Sequence, residues 1–252
     1  VLVLLAEILQ GANEQASEMK GQLVPDNPVT AIDLFAGALF PGLLLVFLYL
    51  SYQIIIAFIN PSSSPPLVSH QENNDENTNV FDLIKIISAP LILIIIVLGS
   101  ILTGIATPTE SAAVGAVGAT VIAIVSNQFT FQILKTVSQE TTKISSMVFI
   151  ILIGASMFSL VFRGFGGEEL VKDFLVGIPG GFWAQFLVVM IVIFLLGFFL
   201  DFIEIAVVVV PIIAPILLAE PGANVSAIWL GVMIGVNLQT SFLTPPFGFA
   251  LF

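Results

Sequence analysis

The chain has 252 residues, 58% of them hydrophobic and 9% charged, a formal net charge of −11 and a mean hydropathy of +1.11. That balance lies far from a soluble domain's. With no cysteine, disulfides and thiolate metal sites are excluded, and six Lys and Arg leave no basic surface for nucleic acid. Runs of Leu, Ile, Val, Ala and Phe reach the roughly 20 residues that a helix needs to cross a ~30 Å hydrocarbon core. The predicted fold class is therefore all-α, a polytopic transmembrane helical protein in a lipid bilayer.

Val1–Leu9 reads as the last turns of a helix, and 10–30, acidic and carrying Pro25 and Pro28, as a solvent loop. The chain opens without Met or a basic flank and stops at Phe252 within an apolar run, so a fragment of a longer protein is expected. Ile32–Ile59 is the first complete span, with a kink expected at Pro41-Gly42. Residues 60–83 form a polar linker rich in Pro, Ser and Asn. The single histidine, His70, lies in it with no partner cluster nearby, and reads as solvated rather than as a ligand.

Ile84–Thr103 spans next, and Gly104 to Glu110 interrupts it. Thr107-Pro108-Thr109-Glu110 is a capping box, with Thr107 at the N-cap and Glu110 reaching back. Small residues at 112, 115, 116, 118 and 119 of the following helix permit close approach of another helix. Residues 127–146 alternate apolar with Lys and Glu and predict a short interfacial helix. Met147–Phe162 spans again, and 163–181 reads as a polar connector. Residues 186–218 are too long and too broken for one helix. Gly197-Phe-Phe-Leu-Asp201 divides them into two arms, which suggests a re-entrant hairpin.

The last stretch, Asn237 to Gly248, interrupts membrane-like sequence with Pro245 and Pro246. A proline has no N–H and clashes with the carbonyl four residues back, so one regular helix cannot pass through. Thr244 before Pro245 resembles an N-cap restarting a second half-helix. Asn237, Gln239, Thr240, Ser241 and Thr244 then place side-chain oxygens beside freed carbonyls, which survives at bilayer depth only in protein or at a polar cavity. Such discontinuous helices point to ion and substrate sites in secondary transporters.

Among the membrane carboxylates Asp201, Glu204 and Glu110, none has a Lys or Arg near it in sequence. A charge at a helix centre costs roughly 2.5–3.5 kcal/mol on insertion scales, so each needs a reason. A bound cation is one. Helix capping is another: it accounts fully for Glu110, and Asp201 can similarly cap the second hairpin arm; for Glu204 an aqueous vestibule is favoured over ligation. A hard cation such as Na⁺ takes carbonyl, hydroxyl and carboxylate oxygens. Half-helix N-termini after Thr107 and Thr244 suit an anionic substrate.

Four motifs carry a family resemblance: Leu34-Phe-Ala-Gly-Ala-Leu-Phe-Pro-Gly-Leu-Leu-Leu45, Gly104-Ile-Ala-Thr-Pro-Thr-Glu-Ser-Ala-Ala-Val-Gly-Ala116, Gly197-Phe-Phe-Leu-Asp201 and Asn237-Leu-Gln-Thr-Ser-Phe-Leu-Thr-Pro-Pro-Phe-Gly248. In this order they closely resemble the large membrane subunit of tripartite ATP-independent periplasmic (TRAP) transporters, in the ion-transporter superfamily. Phe202 departs from the family's frequent proline after the hairpin Asp, and the 10–30 loop is longer than the family pattern leads one to expect.

The resemblance implies an elevator-type, inverted-repeat fold with a re-entrant hairpin and discontinuous helices. Residues 1–59 would be the end of the first repeat and the next span. Residues 84–252 would be the second repeat, with its hairpin at about 186–218 and its broken helix at about 226–252. It implies no enzyme activity and no cofactor beyond Na⁺ as coupling ion. The partners implied are a small membrane subunit (Q-type), a periplasmic solute-binding protein (P-type) and a small organic acid. The place implied is the cytoplasmic (inner) membrane of a bacterium or archaeon. Ion and substrate binding would fall to Gly197, Asp201, Asn237, Thr240, Ser241, Thr244, Pro245 and Pro246, with Na⁺ held by oxygens near Gly197, Thr240 and Thr244. Gly104, Thr107, Pro108 and Glu110 would form the other helix break.

Rival readings have less support. An intramembrane aspartyl protease needs two membrane aspartates and a serine protease a Ser/His pair, and the sequence offers neither. A passive channel or a non-transporting scaffold subunit is the remaining alternative.

Overall fold

The structure is a computed structural model that describes residues 2–22, 25, 28–63 and 80–242. The described residues form nine main helices and no strand: α1 (Leu2–Met19), α2 (Ala31–Ile59), α3 (Val80–Leu102), α4 (Pro108–Val125), α5 (Phe131–Gly164), α6 (Gly167–Val176), α7 (Gly181–Leu196), α8 (Phe202–Ala219) and α9 (Ala227–Phe242). Four of them, α2, α4, α5 and α8, are long and apolar enough to cross a bilayer. The chain is an all-α polytopic membrane protein, as the composition predicts. Its contacts divide it into two compact units, residues 1–37 with 130–252, and residues 38–129.

In the first unit, α1 lays Leu5, Leu9, Ala12 and Ala16 in one buried stripe against α8 and α9. This stripe carries the helix to Met19, through residues expected to be loop. Gln10, Asn13, Glu14 and Glu18 simply occupy its outer face, as in any amphipathic helix. α9 crosses α1 where Gly231 leaves room: a Cβ there would overlap Leu9 Cδ1 and come within 2.9 Å of Leu34 Cδ1. Gly231→Val is accordingly expected to destabilise the protein by about 1–3 kcal/mol through overpacking. The check is thermal unfolding of the detergent-purified protein; an unchanged midpoint would refute this close crossing.

Two further expectations are corrected. Residues 131–164 form one helix, α5, where an interfacial helix followed by a separate span was predicted. The polar run does not break it because Ser138, Thr142 and Ser146 return their hydroxyls to carbonyls four residues back. Thr130 caps its start, its Oγ1 accepting from Ile133 N–H at 3.2 Å. The connector 163–181 contains α6, whose first turn carries Glu168 and Glu169, favourable at a helix N-terminus. Arg163 closes the α5–α6 corner on Glu168 at 2.6 Å, over Gly166 with φ +73°.

In the second unit α3 packs on α4. Gly115 faces Val97 and Gly118 faces Leu93, so the small-residue stripe is where the partner helix sits. Ser100 Oγ and the buried Ser111 Oγ bond across that contact at 2.8 Å. α2 runs through Pro41 as one helix.

Candidate functional site

α7 contains one polar side chain other than tryptophan, Gln185, in an otherwise apolar run. It ends at Leu196, and the N–H groups of Gly197, Phe198, Phe199 and Leu200 close the terminal turns on Ile193, Leu195 and Leu196 carbonyls. No backbone N–H among the described residues donates to the carbonyls of Gly197, Phe198, Phe199 or Leu200. The chain then restarts as α8. The interruption at 197–201 read from the sequence is therefore present, with four peptide oxygens outside helical bonding and Gly197 buried.

Asp201 is the N-cap of α8. Its Oδ1 accepts from Phe202 N–H at 2.7 Å, and Glu204 Oε2 accepts from Asp201 N–H at 3.3 Å, completing a capping box. The tip carboxylates hold the turn rather than project from it. Glu204 also lines a groove of about 370 Å³ beside Gly154, Ala155 and Phe158 of α5.

Past Glu204 the helix widens into a π turn at Ile205–Val209 before Pro211. Proline brings no N–H, and its ring presses on the carbonyl four residues back. A wider turn accommodates both. An apolar slot of about 310 Å³ separates the arms, with Val189, Val192 and Ile193 on α7 and Val208, Val209 and Ile212 on α8.

α9 runs parallel to α7. Trp229 packs on Trp183 and Phe186, at 6.0 and 5.1 Å between ring centroids, and eight residues on Asn237 meets Met190. Asn237 Nδ2 donates to the Met190 carbonyl at 2.8 Å. Seven residues of helix, on the order of 10 Å, separate Met190 from Gly197. Thr240 and Ser241, one turn beyond Asn237, thus approach the depth of the hairpin tip.

One expectation is corrected here. Asn237, Gln239, Thr240 and Ser241 were expected between two half-helices, yet α9 is helical through Phe242. No proline lies between Ala227 and Phe242, so nothing in that stretch removes a helical N–H. Thr244, Pro245 and Pro246 lie outside the described residues.

Gly104, Thr107, Pro108 and Glu110 lie in the second unit and form a helix start. Thr107 Oγ1 accepts from Glu110 N–H at 3.3 Å, while Glu110 Oε2 accepts from Thr107 N–H at 2.8 Å and from its hydroxyl at 2.8 Å. Gly104 turns the chain at φ +71°. The carboxylate is thus engaged as a cap.

Among the described residues no group of three or more His, Asp or Glu could hold a metal ion. Two residues escaped the sequence reading. Gln185 is 1% exposed, and its lone polarity in an apolar run was the available signal. Met190 contributes a main-chain oxygen, for which side-chain patterns carry no signal.

Comparisons with known proteins converge on one family. Residues 27–252 match the family model described as tripartite ATP-independent periplasmic transporter, DctM component. The chain is similar to the C4-dicarboxylate TRAP transporter large permease protein DctM of Rhodobacter capsulatus, 29% identical over 163 residues (64% of this chain, 36% of the relative). The same-named protein of Pseudomonas aeruginosa is 29% identical over 220 residues (87% and 49%). The sialic acid TRAP transporter large permease protein SiaM of Vibrio cholerae is 26% identical over 220 residues (87% and 49%). These matches span half or less of the relatives' own length. The relatives are transporter permeases, not enzymes, and the match covers nearly the whole chain: it belongs to the family of the DctM component of tripartite ATP-independent periplasmic transporters.

Proposed function

We propose that this chain is part of the membrane permease subunit of a secondary active transporter, taking up an organic acid with Na⁺ across a bacterial or archaeal cytoplasmic membrane. The observation that carries the reading is the interruption at 197–201, where no backbone N–H among the described residues donates to four successive peptide oxygens between two apolar arms. Irregular backbone at membrane depth is tolerated where it lines a site. Gly197 and Asp201 form one wall. Thr240 and Ser241, with Thr244, Pro245 and Pro246, form the other, and Na⁺ sits among carbonyl and hydroxyl oxygens near Gly197, Thr240 and Thr244.

The relatives' names support an acid as substrate, since C4-dicarboxylates and sialic acid are both carboxylates at neutral pH. A periplasmic solute-binding protein delivers it, a small membrane subunit completes the complex, and the hairpin unit moves as an elevator. The test is uptake into proteoliposomes holding the full-length permease, its small subunit and the binding protein. A sodium gradient is expected to drive accumulation only when the binding protein is present. Uptake indifferent to sodium would overturn the coupling, and accumulation without the binding protein would overturn the delivery step.

A further inference from the structure

We infer that Asn237 is a positioning residue that fixes the hairpin's first arm to α9. The inference rests on the proposed sodium site at the hairpin tip, but its geometry does not. α7 and α9 are joined at two levels. Near the helix starts, Trp229 packs against Trp183 and Phe186. Two turns deeper, Asn237 Nδ2 donates to Met190 O at 2.8 Å, with Met190 Sδ at 3.6 Å.

The orientation of the amide is fixed by chemistry. A main-chain carbonyl can only accept, so the group facing it is the NH₂ and not the amide oxygen. Cations are held by oxygens. The end of Asn237 that meets α7 is thus the end that cannot bind one. This bond ties α9 to α7 directly.

The remaining contacts between these helices are apolar and slide easily, since lipid tails solvate apolar side chains as well as a neighbouring helix does. The second arm is held differently, by α1 along α8 and across an apolar slot from α7. The described side chains that line that slot are all apolar. The height of the tip carbonyls, seven residues past Met190, therefore follows α9 through this bond. α9 also carries Thr240 and Ser241. The Asn237 amide holds the hairpin tip in register with the end of α9.

The experiment uses the full-length complex bearing Asn237→Leu, which keeps the side-chain shape, and Asn237→Ala. Deuterium exchange of amides 197–201 is measured in choline buffer and in sodium buffer, and uptake is titrated with sodium. Exchange at the tip is expected to quicken even in choline, where no transported ion is present. Half-saturating sodium is expected to rise roughly three- to tenfold, the worth of one interhelical hydrogen bond in a membrane, with the maximal uptake rate retained.

Unchanged exchange in choline together with weakened sodium response would overturn the inference in favour of a direct ligand. A fall in maximal rate at unchanged half-saturation would also overturn it, as general loss of structure. If uptake of the unsubstituted complex ignores sodium, the proposed coupling fails, and the choline exchange result alone decides the clamp. Should one variant fail to insert, the other is read by the same criteria.

Discussion

Asp201→Ala is expected to raise the sodium concentration that half-saturates uptake by roughly five- to tenfold, with the protein still inserting normally, while Asp201→Asn stays close to the unsubstituted protein. The carboxylate is engaged in capping α8, through Phe202 N–H at 2.7 Å and its box with Glu204. An N-cap lost to alanine costs about 1 kcal/mol, and Asn caps as well as Asp does. Without the cap the first turn of α8 frays, and the carbonyls of residues 197–200 lose the fixed positions that would let them replace water around an ion. Sodium titration of uptake, with both variants side by side, checks this. If Asn harms as much as Ala, the charge itself contacts the ion. If neither substitution moves the titration, the hairpin tip is not the sodium site.

Gln185→Leu is expected to stabilise the protein, by about 1–2 kcal/mol. The side chain is 1% exposed, and its Oε1 has no hydrogen-bond partner among the described residues. A buried acceptor without a donor costs about 1–3 kcal/mol, and an apolar group of the same shape removes that cost. Part of the gain is offset because a chain unfolded within the bilayer also finds partners for its polar groups. The unfolding midpoint of the purified complex should climb by roughly 2–4 °C per kcal/mol. A lowered midpoint, or lost uptake at unchanged stability, would show that Oε1 meets a water or a transported species between the hairpin arms.

Both substitutions fall on one hairpin, whose parts were unequally legible in the sequence. Its division into two arms could be read directly. Gly197 followed by Asp201 within 33 apolar-rich residues breaks the hydrophobic run by composition alone. The capping boxes at Thr107–Glu110 and Asp201–Glu204 are equally local, though only the first was read as a box and Glu204 was expected to face an aqueous vestibule. Each needs only two side chains three residues apart. Where the sequence reading failed, it took polarity for irregular backbone. α1 runs through Gln10–Glu18, α5 through Ser138–Ser146, and α9 through Asn237–Ser241 as regular helix. In each case a polar side chain sits on an exposed face, bonds its own backbone, or bonds a neighbouring helix, none of which breaks the ladder.

The amino-acid order by itself determined that this chain lies in a bilayer as helices, that the apolar runs are cut at Gly197–Asp201 and before Pro108, and that Thr107 with Glu110 caps the second cut. Those outcomes depend on hydrophobic length and on contacts between near neighbours, which a linear string contains. Only the tertiary structure decided that α7 and α9 run parallel, that Gly231 admits Leu9 and Leu34, and that the Asn237 amide faces the Met190 carbonyl 47 residues away. Such pairings are chosen by shape across helices and by the need of a polar group to find a partner where there is no water. A main-chain oxygen that answers this need has no letter of its own in the sequence.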